Sequence, residues 1–237
     1  QNLKDIPASV TVIDRKLIEA SGAVNIADLF RLVPGFQAYQ VHANAFGVVS
    51  HGQGEAHPGR LEVMIDSRSV YLPLLSTVDW SALGIGIDDI DRIEVVRGSN
   101  VPSQGSNAFL GAINIITREP LQDQGLTVGT TLGSLNTRDH YLRHNGRIDE
   151  LDYRLSASFH KNHGTGLGRE DGESSNPAQL MEDGGEISQL NFRGTYTPNL
   201  TDSYDLQLGF SSGQFGVGNA ADPAELAPRD VDSHYQQ

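Results

Sequence analysis

Cysteine is absent from the 237 residues. That excludes structural disulfides and thiolate metal sites, and it leaves the redox compartment open. Basic residues are scarce: 17 Lys and Arg stand against 30 Asp and Glu, a formal net charge of −13. So acidic a surface argues against nucleic acid and against adhesion to anionic lipid, since both partners are polyanions. No apolar run reaches the roughly 18 residues of a transmembrane helix. If the chain meets a membrane, a closed β-barrel is the structure left that can satisfy its backbone there. The signatures of catalysis are missing too. Gly84-Ile85-Gly86 lacks the third glycine and the following helix of a dinucleotide site. There is no phosphate loop ending in Gly-Lys-Ser/Thr, and no nucleophile elbow. Ile87-Asp88-Asp89-Ile90-Asp91 is densely acidic but lacks the spacing and glycine of a calcium loop. A non-enzyme without a resident cofactor is expected. The chain opens at Gln1 with neither Met nor a charged-then-apolar leader, as it would after signal-peptide removal or truncation.

Glycine, by contrast, is plentiful at 26 residues, a sign of turns or closely packed strands. The length suffices for one large domain or two modest ones. Residues 1–120 read as mixed α/β. Ser9–Ile13 is a short β-branched run, and Asp14 is placed to cap a short helix ending near Gly22. Asn25 can cap a second helix, with Ile26, Leu29, Phe30 and Val33 as its apolar face and Pro34-Gly35 as its stop. Leu61, Val63 and Ile65 alternate with Glu62 and Met64 in a strand that ends at a turn around Asp66-Ser67. Ile93–Val96 and Ala112–Thr117 are further strand-like runs.

After Pro120 helical periodicity disappears and two-residue alternation takes over. Leu126, Val128, Thr130 and Leu132 alternate with smaller or polar neighbours, as do Leu151 to Phe159, Leu190 to Tyr196 and Tyr204 to Phe210; a weaker strand lies around Tyr141–Ile148. Each segment has about 10 residues, the length of a tilted membrane-spanning strand. The connections at Asp149-Glu150 and Pro198–Thr201 are tight, whereas Gly164–Gly185 and the tail Gly216–Gln237 are long and polar. Short turns on one side and long loops on the other, with Phe159, Tyr196, Tyr204 and Phe210 near strand ends, favour an outer-membrane barrel wall. A soluble antiparallel sandwich with one wet face alternates in the same way, so a soluble ligand-binding module, an α/β domain fused to a β-sandwich, is the alternative. A secreted hydrolase is disfavoured by the lack of a nucleophile or carboxylate pair in context.

His42, His51 and His57, with Glu55 among them, lie close together in a glycine-containing stretch. They could contact a metal or a ligand; solvated loop histidines have the same pattern.

One combination is specific. Asp88-Asp89-Ile90-Asp91-Arg92-Ile93-Glu94-Val95-Val96-Arg97-Gly98, followed by Gly105-Ser106-Asn107-Ala108-Phe109-Leu110-Gly111-Ala112-Ile113-Asn114-Ile115-Ile116-Thr117, closely resembles the most recognisable stretch of TonB-dependent receptor plugs. Ile6–Ile13 resembles the plug's opening strand, Asn25–Phe36 its early helix and Pro-Gly stop, and Val63–Tyr71 its central Asp-Gly-Arg strand turn. These pieces occur in the family's order and cover nearly all of residues 3–120. The resemblance implies an α+β plug domain, a small mixed sheet with short helices, over 1–120. The antiparallel strands of a partial transmembrane β-barrel, incomplete in this chain, would follow over 121–237. It implies a Gram-negative outer-membrane transporter of about 22 strands whose lumen the plug fills. The implied ligand is scarce: a siderophore, another metal chelate or cobalamin. Its implied partners are that ligand, outer-membrane lipid, and TonB, which pulls on an N-terminal segment that this chain does not contain. Arg97 resembles the arginine that locks plug to barrel, with Glu94 taking part. The apical loop His42–Pro58 would face the ligand. Two departures stand out. His51-Gly52 replaces the family's usual Arg-Gly, so that a neutral or partly charged His51 holds less firmly near pH 7. Ser67 replaces the turn glycine, at little cost if the turn avoids a positive φ there.

Overall fold

The computed structural model describes residues 9–42, 44–52, 59–72, 77–98, 107–121, 123–164, 183–199, 201–217 and 229–236. The chain divides into two compact units, Gln1–Val41 with Ala45–Glu119, and His42–Asn44 with Pro120–Gln237.

The first unit is built on a five-stranded mixed sheet. Its strands are β1 (Ser9–Ile13), β4 (Leu61–Ile65), β5 (Arg68–Ser69), β6 (Ile90–Arg97) and β7 (Gly111–Thr117), in the order β1-β6-β7-β4-β5. β4 and β7 run parallel, and the other pairs are antiparallel. Strands β2 (Phe36–His42) and β3 (Ala45–Ser50) form a separate hairpin. After β1, Asp14 caps helix α1 (Arg15–Ser21): its carboxylate accepts the Leu17 amide at 2.9 Å, and Gly22 ends the helix in the left-handed conformation at φ 66°. Arg15 then donates to the carbonyls of Ile87 and Ile90 at 3.1 and 3.2 Å, tying the helix start to the 3₁₀ turn Ile87–Asp89.

The second expected helix is a 3₁₀ turn, Ala27–Leu32. Asn25 Oδ1 still accepts the Asp28 amide at 2.9 Å. Pro34 pushes Val33 out of the helical region, to ψ 120°, and leaves too short a segment for α-helical turns. The whole expected apolar face is buried: Ile26, Leu29, Phe30 and Val33 join Ile13, Val63, Ile65, Ile93, Val95, Ile113 and Ile115 in one core. Phe30 is fully enclosed, its ring centroid 4.9 Å from Trp80 and 6.3 Å from Phe36. Each such side chain contributes roughly 1.5–3 kcal/mol by leaving water.

The turn after β4 does not avoid positive φ. Asp66 and Ser67 sit at φ 47° and 66°, the two left-handed positions of a two-residue hairpin closed by Ile65 opposite Arg68. The Ser67 amide donates to Asn114 Oδ1 at 3.0 Å, which holds the residue in a conformation that glycine would adopt without strain.

The second unit is an antiparallel meander of six neighbouring strands, β8 (Gly125–Leu132), β9 (Arg138–Ile148), β10 (Leu151–Asn162), β11 (Gly185–Tyr196), β12 (Tyr204–Val217) and β13 (Arg229–Gln236). The last was expected to be polar tail; pairing with β12 from Phe210–Gln236 to Val217–Arg229 draws it into the sheet despite its weak alternation. Alternate connections leave from opposite ends of the meander: 133–137, 163–184 and 218–228 from one, 149–150 and 197–203 from the other.

Register sorts the side chains into rows. Val128, Leu142, Ala157, Leu190 and Phe210 stand side by side across β8 to β12, and Thr127, Arg143, Ser156 and Asn191 form the neighbouring row on the opposite face. The apolar face is the exposed one: Leu132 is 74% and Val128 64% accessible. The polar face is the buried one, with Asn145 and Ser156 at 1% and Arg154 at 3%. A soluble sandwich buries its apolar face, so the sandwich alternative is replaced by a sheet resembling part of a barrel.

Candidate functional site

Arg97 is the last residue of β6, opposite Ser9 at the start of β1. Its guanidinium donates to the Pro34 carbonyl at 2.9 Å and to Ser9 Oγ at 2.7 Å, joining the first strand to the Pro-Gly stop. Glu94 lies three residues earlier on the same strand and therefore on the opposite face of the sheet. It accepts from Arg92 Nε at 2.9 Å. This hydrogen bond, with the one that Arg92 donates to Asp91, outweighs partial burial and holds the Arg92 guanidinium above its ordinary, already high pKa. Arg97 and Glu94 are thus not brought together.

The histidines are spread as well. His42 ends β2 at the tip of the β2–β3 hairpin, whereas His51 follows β3 at the hairpin's base, where its amide donates to the Gly35 carbonyl at 3.1 Å. At about 3.3 Å per residue the hairpin holds these positions some 20 Å apart. The His51 backbone is left-handed at φ 52°, and Ser50 Oγ lies 3.1 Å from its Nδ1. Its ring lies against Gly35, where an added Cβ would come within 2.7 Å of Cε1. His57 lies outside the described residues. Among the described residues no three His, Cys, Asp or Glu are grouped to hold a metal ion.

Two constellations escaped the sequence reading. The first is Asp66, whose carboxylate accepts the Thr117 amide at 2.8 Å and the Thr117 hydroxyl at 2.7 Å, fastening the β4–β5 turn to the end of β7. Its place in the strand-turn motif was a signal, but its partner lies 51 positions away. The second is a hydrogen-bonded chain in the second unit that runs from Asn44 through Asn162 and His160 to Asp139. Elsewhere on that unit's polar face Arg147 grips Asp152 through two bonds of 2.5 and 2.8 Å, and Arg193 and Thr195 both donate to Asp205. Among the described residues no helix is long and apolar enough to cross a membrane, which does not bear on crossing by strands.

A plug-like mixed sheet with few helices, followed by an antiparallel sheet with its apolar face outward, defines a TonB-dependent receptor. Residues 2–112 match the model of the TonB-dependent Receptor Plug Domain. It is similar to the vitamin B12 transporter BtuB of Photobacterium profundum, 34% identical over 118 residues, which are 49% of this chain and 19% of the relative. It is also similar to the catecholate siderophore receptor Fiu of Escherichia coli K12, 27% identical over 166 residues, 68% of this chain and 20% of the relative. The chain spans about a fifth of the length of these curated relatives. Two solved structures share its fold. The closed form of Fiu superposes with TM-score 0.68 at 20% identity over 91% of this chain and 27% of that one. The copper transporter OprC superposes with TM-score 0.65 at 17% identity over 95% of this chain and 34% of that one.

Proposed function

We propose that the chain is the plug and first wall strands of an outer-membrane transporter that takes up a scarce ligand, a siderophore, another metal chelate or cobalamin, with energy delivered through TonB. The observation that carries this reading is the reversed burial of the second unit, apolar outward and polar inward, directly after a plug-family domain. That order suits a wall with lipid outside and water or protein inside. The relatives named for vitamin B12 and catecholate siderophores support the ligand classes.

In this reading the plug must be polar enough to move yet fixed enough to seal, and charged pairs serve both needs because they are directional but exchange with water. Arg97 and Glu94 are the locking residues, acting from opposite faces of β6. The segment 42–58, which contains strand β3 rather than being loop throughout, is the ligand-facing one, with His42, His51 and His57 as its candidate contacts. The test is uptake by cells carrying the full-length protein, with labelled cobalamin and a ferric catecholate supplied separately. Accumulation of one of them that disappears on loss of TonB or on collapse of the proton gradient is expected. Accumulation indifferent to both would refute energised transport.

A further inference from the structure

Among the described residues, His160 is the one histidine of the second unit whose two ring nitrogens both have named partners in a continuous chain. It lies on β10 near the long-connection end, with its side chain on the polar face and 33% accessible, so protons reach it from solvent. Nδ1 meets the carboxylate of Asp139, directly opposite on β9. Nε2 lies 2.9 Å from Nδ2 of Asn162, two residues along β10. The orientation of the Asn162 amide is not free. Its Oδ1 accepts the Gly164 amide at 2.9 Å, so its Nδ2 must be the atom that faces His160. The same Nδ2 donates at 2.8 Å to Oδ1 of Asn44, 118 positions earlier in the chain. Asn44 counts with this unit, and its own Nδ2 donates to the Asp183 carbonyl at 2.7 Å. Nε2 of His160 is therefore an acceptor, and the ring proton sits on Nδ1, toward Asp139.

We propose that His160 is an acid-sensitive catch: its protonation at Nε2 turns the Asn162 amide and breaks the link from Asn162 to Asn44. The imidazolium has two N–H donors and no acceptor. An N–H on Nε2 would point at the N–H of Asn162. That clash is relieved by turning the Asn162 amide so that its oxygen faces the ring. The turn withdraws Oδ1 from the Gly164 amide and leaves an N–H where it was, and it removes the donor to Asn44. Asp139 stays bound throughout, because a carboxylate accepts from the neutral and the charged ring alike, so the released side is the Asn162 side. The other groups facing His160 do not compete. Ile187 stands opposite it on β11, with Gln189 beyond, and Ser158 donates to Gln189. Tyr141 and then Arg143 follow Asp139 along the same face of β9, the guanidinium stacked over the Tyr141 ring. Lys161 and Glu186 pair with each other. His163, past the strand end, is engaged by Asn136. Histidine is the side chain whose unperturbed charge change falls between pH 5 and 8, which sets the pH range of the test.

The test uses the full-length protein in detergent. The readouts are hydrogen exchange at the Gly164 amide, corrected for its intrinsic rate, and the mobility of a nitroxide at an introduced Ala45→Cys, with any cysteine outside these cysteine-free 237 residues first replaced by serine. Lowering the pH from 7.5 to 5.5 should speed exchange at Gly164 by roughly fivefold, the scale of one lost hydrogen bond, and loosen the label at residue 45. His160→Gln keeps a ring-free acceptor that does not titrate and should stay protected at both pH values. Asn162→Asp should reverse the response, since a carboxylate accepts from Gly164 and from imidazolium together; protection then rises as pH falls. A wild-type rate that ignores pH, or a His160→Gln protein that keeps the wild-type response, would overturn the proposal. If His160→Gln does not fold, an unreversed Asn162→Asp response is sufficient to reject it.

Discussion

The turn between β4 and β5 makes opposite demands on two adjacent residues, and that gives a sharp test of how the plug sheet is held. Asp66→Ala removes both bonds from the carboxylate to Thr117, at 2.8 and 2.7 Å, and leaves the amide of a residue only 2% exposed without that acceptor. Bonds to a charged acceptor contribute about 1.5–3 kcal/mol each, and part of the loss is recovered as the freed turn meets water. Alanine also tolerates φ 47° less well than aspartate does. The sum is about 3 kcal/mol of destabilisation. Ser67→Gly acts in the other direction. It relieves about 1–2 kcal/mol of left-handed strain at φ 66°, offset by roughly 0.5–1 kcal/mol of extra chain entropy, and it keeps the amide bond to Asn114. The net gain is about 0.5–1 kcal/mol. The assay is thermal melting of the polypeptide 1–120, whose core of residues 13–115 is self-contained, followed by near-UV circular dichroism of Trp80 against Phe30. At about 4–8 °C per kcal/mol for a domain of this size, Asp66→Ala should lower the midpoint by roughly 10–20 °C and Ser67→Gly should raise it by a few degrees. A neutral Asp66→Ala, or a destabilising Ser67→Gly, would show that this turn does not fasten β7 as argued.

Arg97→Ala in the full-length protein should raise sensitivity to large antibiotics by loosening the plug, and it should cost about 1–2 kcal/mol of plug stability through the lost bonds to Pro34 and Ser9; unchanged sensitivity together with unchanged uptake refutes the locking role. Val128→Arg, on the outward row, should cost about 2–4 kcal/mol in a bilayer and sharply reduce heat-stable assembled protein on gels. Thr127→Gln, one residue away on the opposite face, should assemble normally, and equal losses for both would contradict the facing. Calorimetry of the isolated plug with copper, zinc and nickel tests direct metal binding by His42, His51 and His57; because the hairpin separates His42 from His51, no saturable binding that needs both is expected. The Glu19 carboxyl is held below its ordinary value of 4.5, first by its hydrogen bond from Arg15 and then by that residue's charge. A depressed folded value means stability that is complete above the unfolded value and lost as pH falls through the lower folded one. Glu19→Gln should therefore lower plug stability slightly at neutral pH, by a difference that vanishes as pH falls below about 4.5 and so flattens the acid limb; a difference that persists undiminished in acid, or one that appears only there, would count against the pair.

Local chemistry was legible in the sequence because it acts over a few positions. Asp14 and Gly22 bracket α1, Asn25 caps the 3₁₀ turn, and Pro34 stops it, each through contacts within about one helical turn. The alternation of residues 125–217 located the wall strands, and the ordered motifs of the first 120 residues carried the family. The three-residue spacing of Arg97 and Glu94 already placed them on opposite faces of a strand, since side chains repeat every second residue. What alternation leaves open is which row meets solvent: sandwich and barrel wall share a period of two, and only the burial of Asn145, Arg154 and Ser156 opposite the exposed Val128 and Leu132 decides it. Strand order β1-β6-β7-β4-β5, with β4 parallel to β7, is a matter of which edges meet, and nothing local to a strand specifies its neighbour. The recruitment of β13 by β12, the left-handed Ser67 held by Asn114, the separation of His42 from His51 along a hairpin, and the meeting of Asn44 with Asn162 all belong to tertiary structure for the same reason. Each depends on a partner that the folded backbone supplies from far along the chain, where sequence periodicity has no reach.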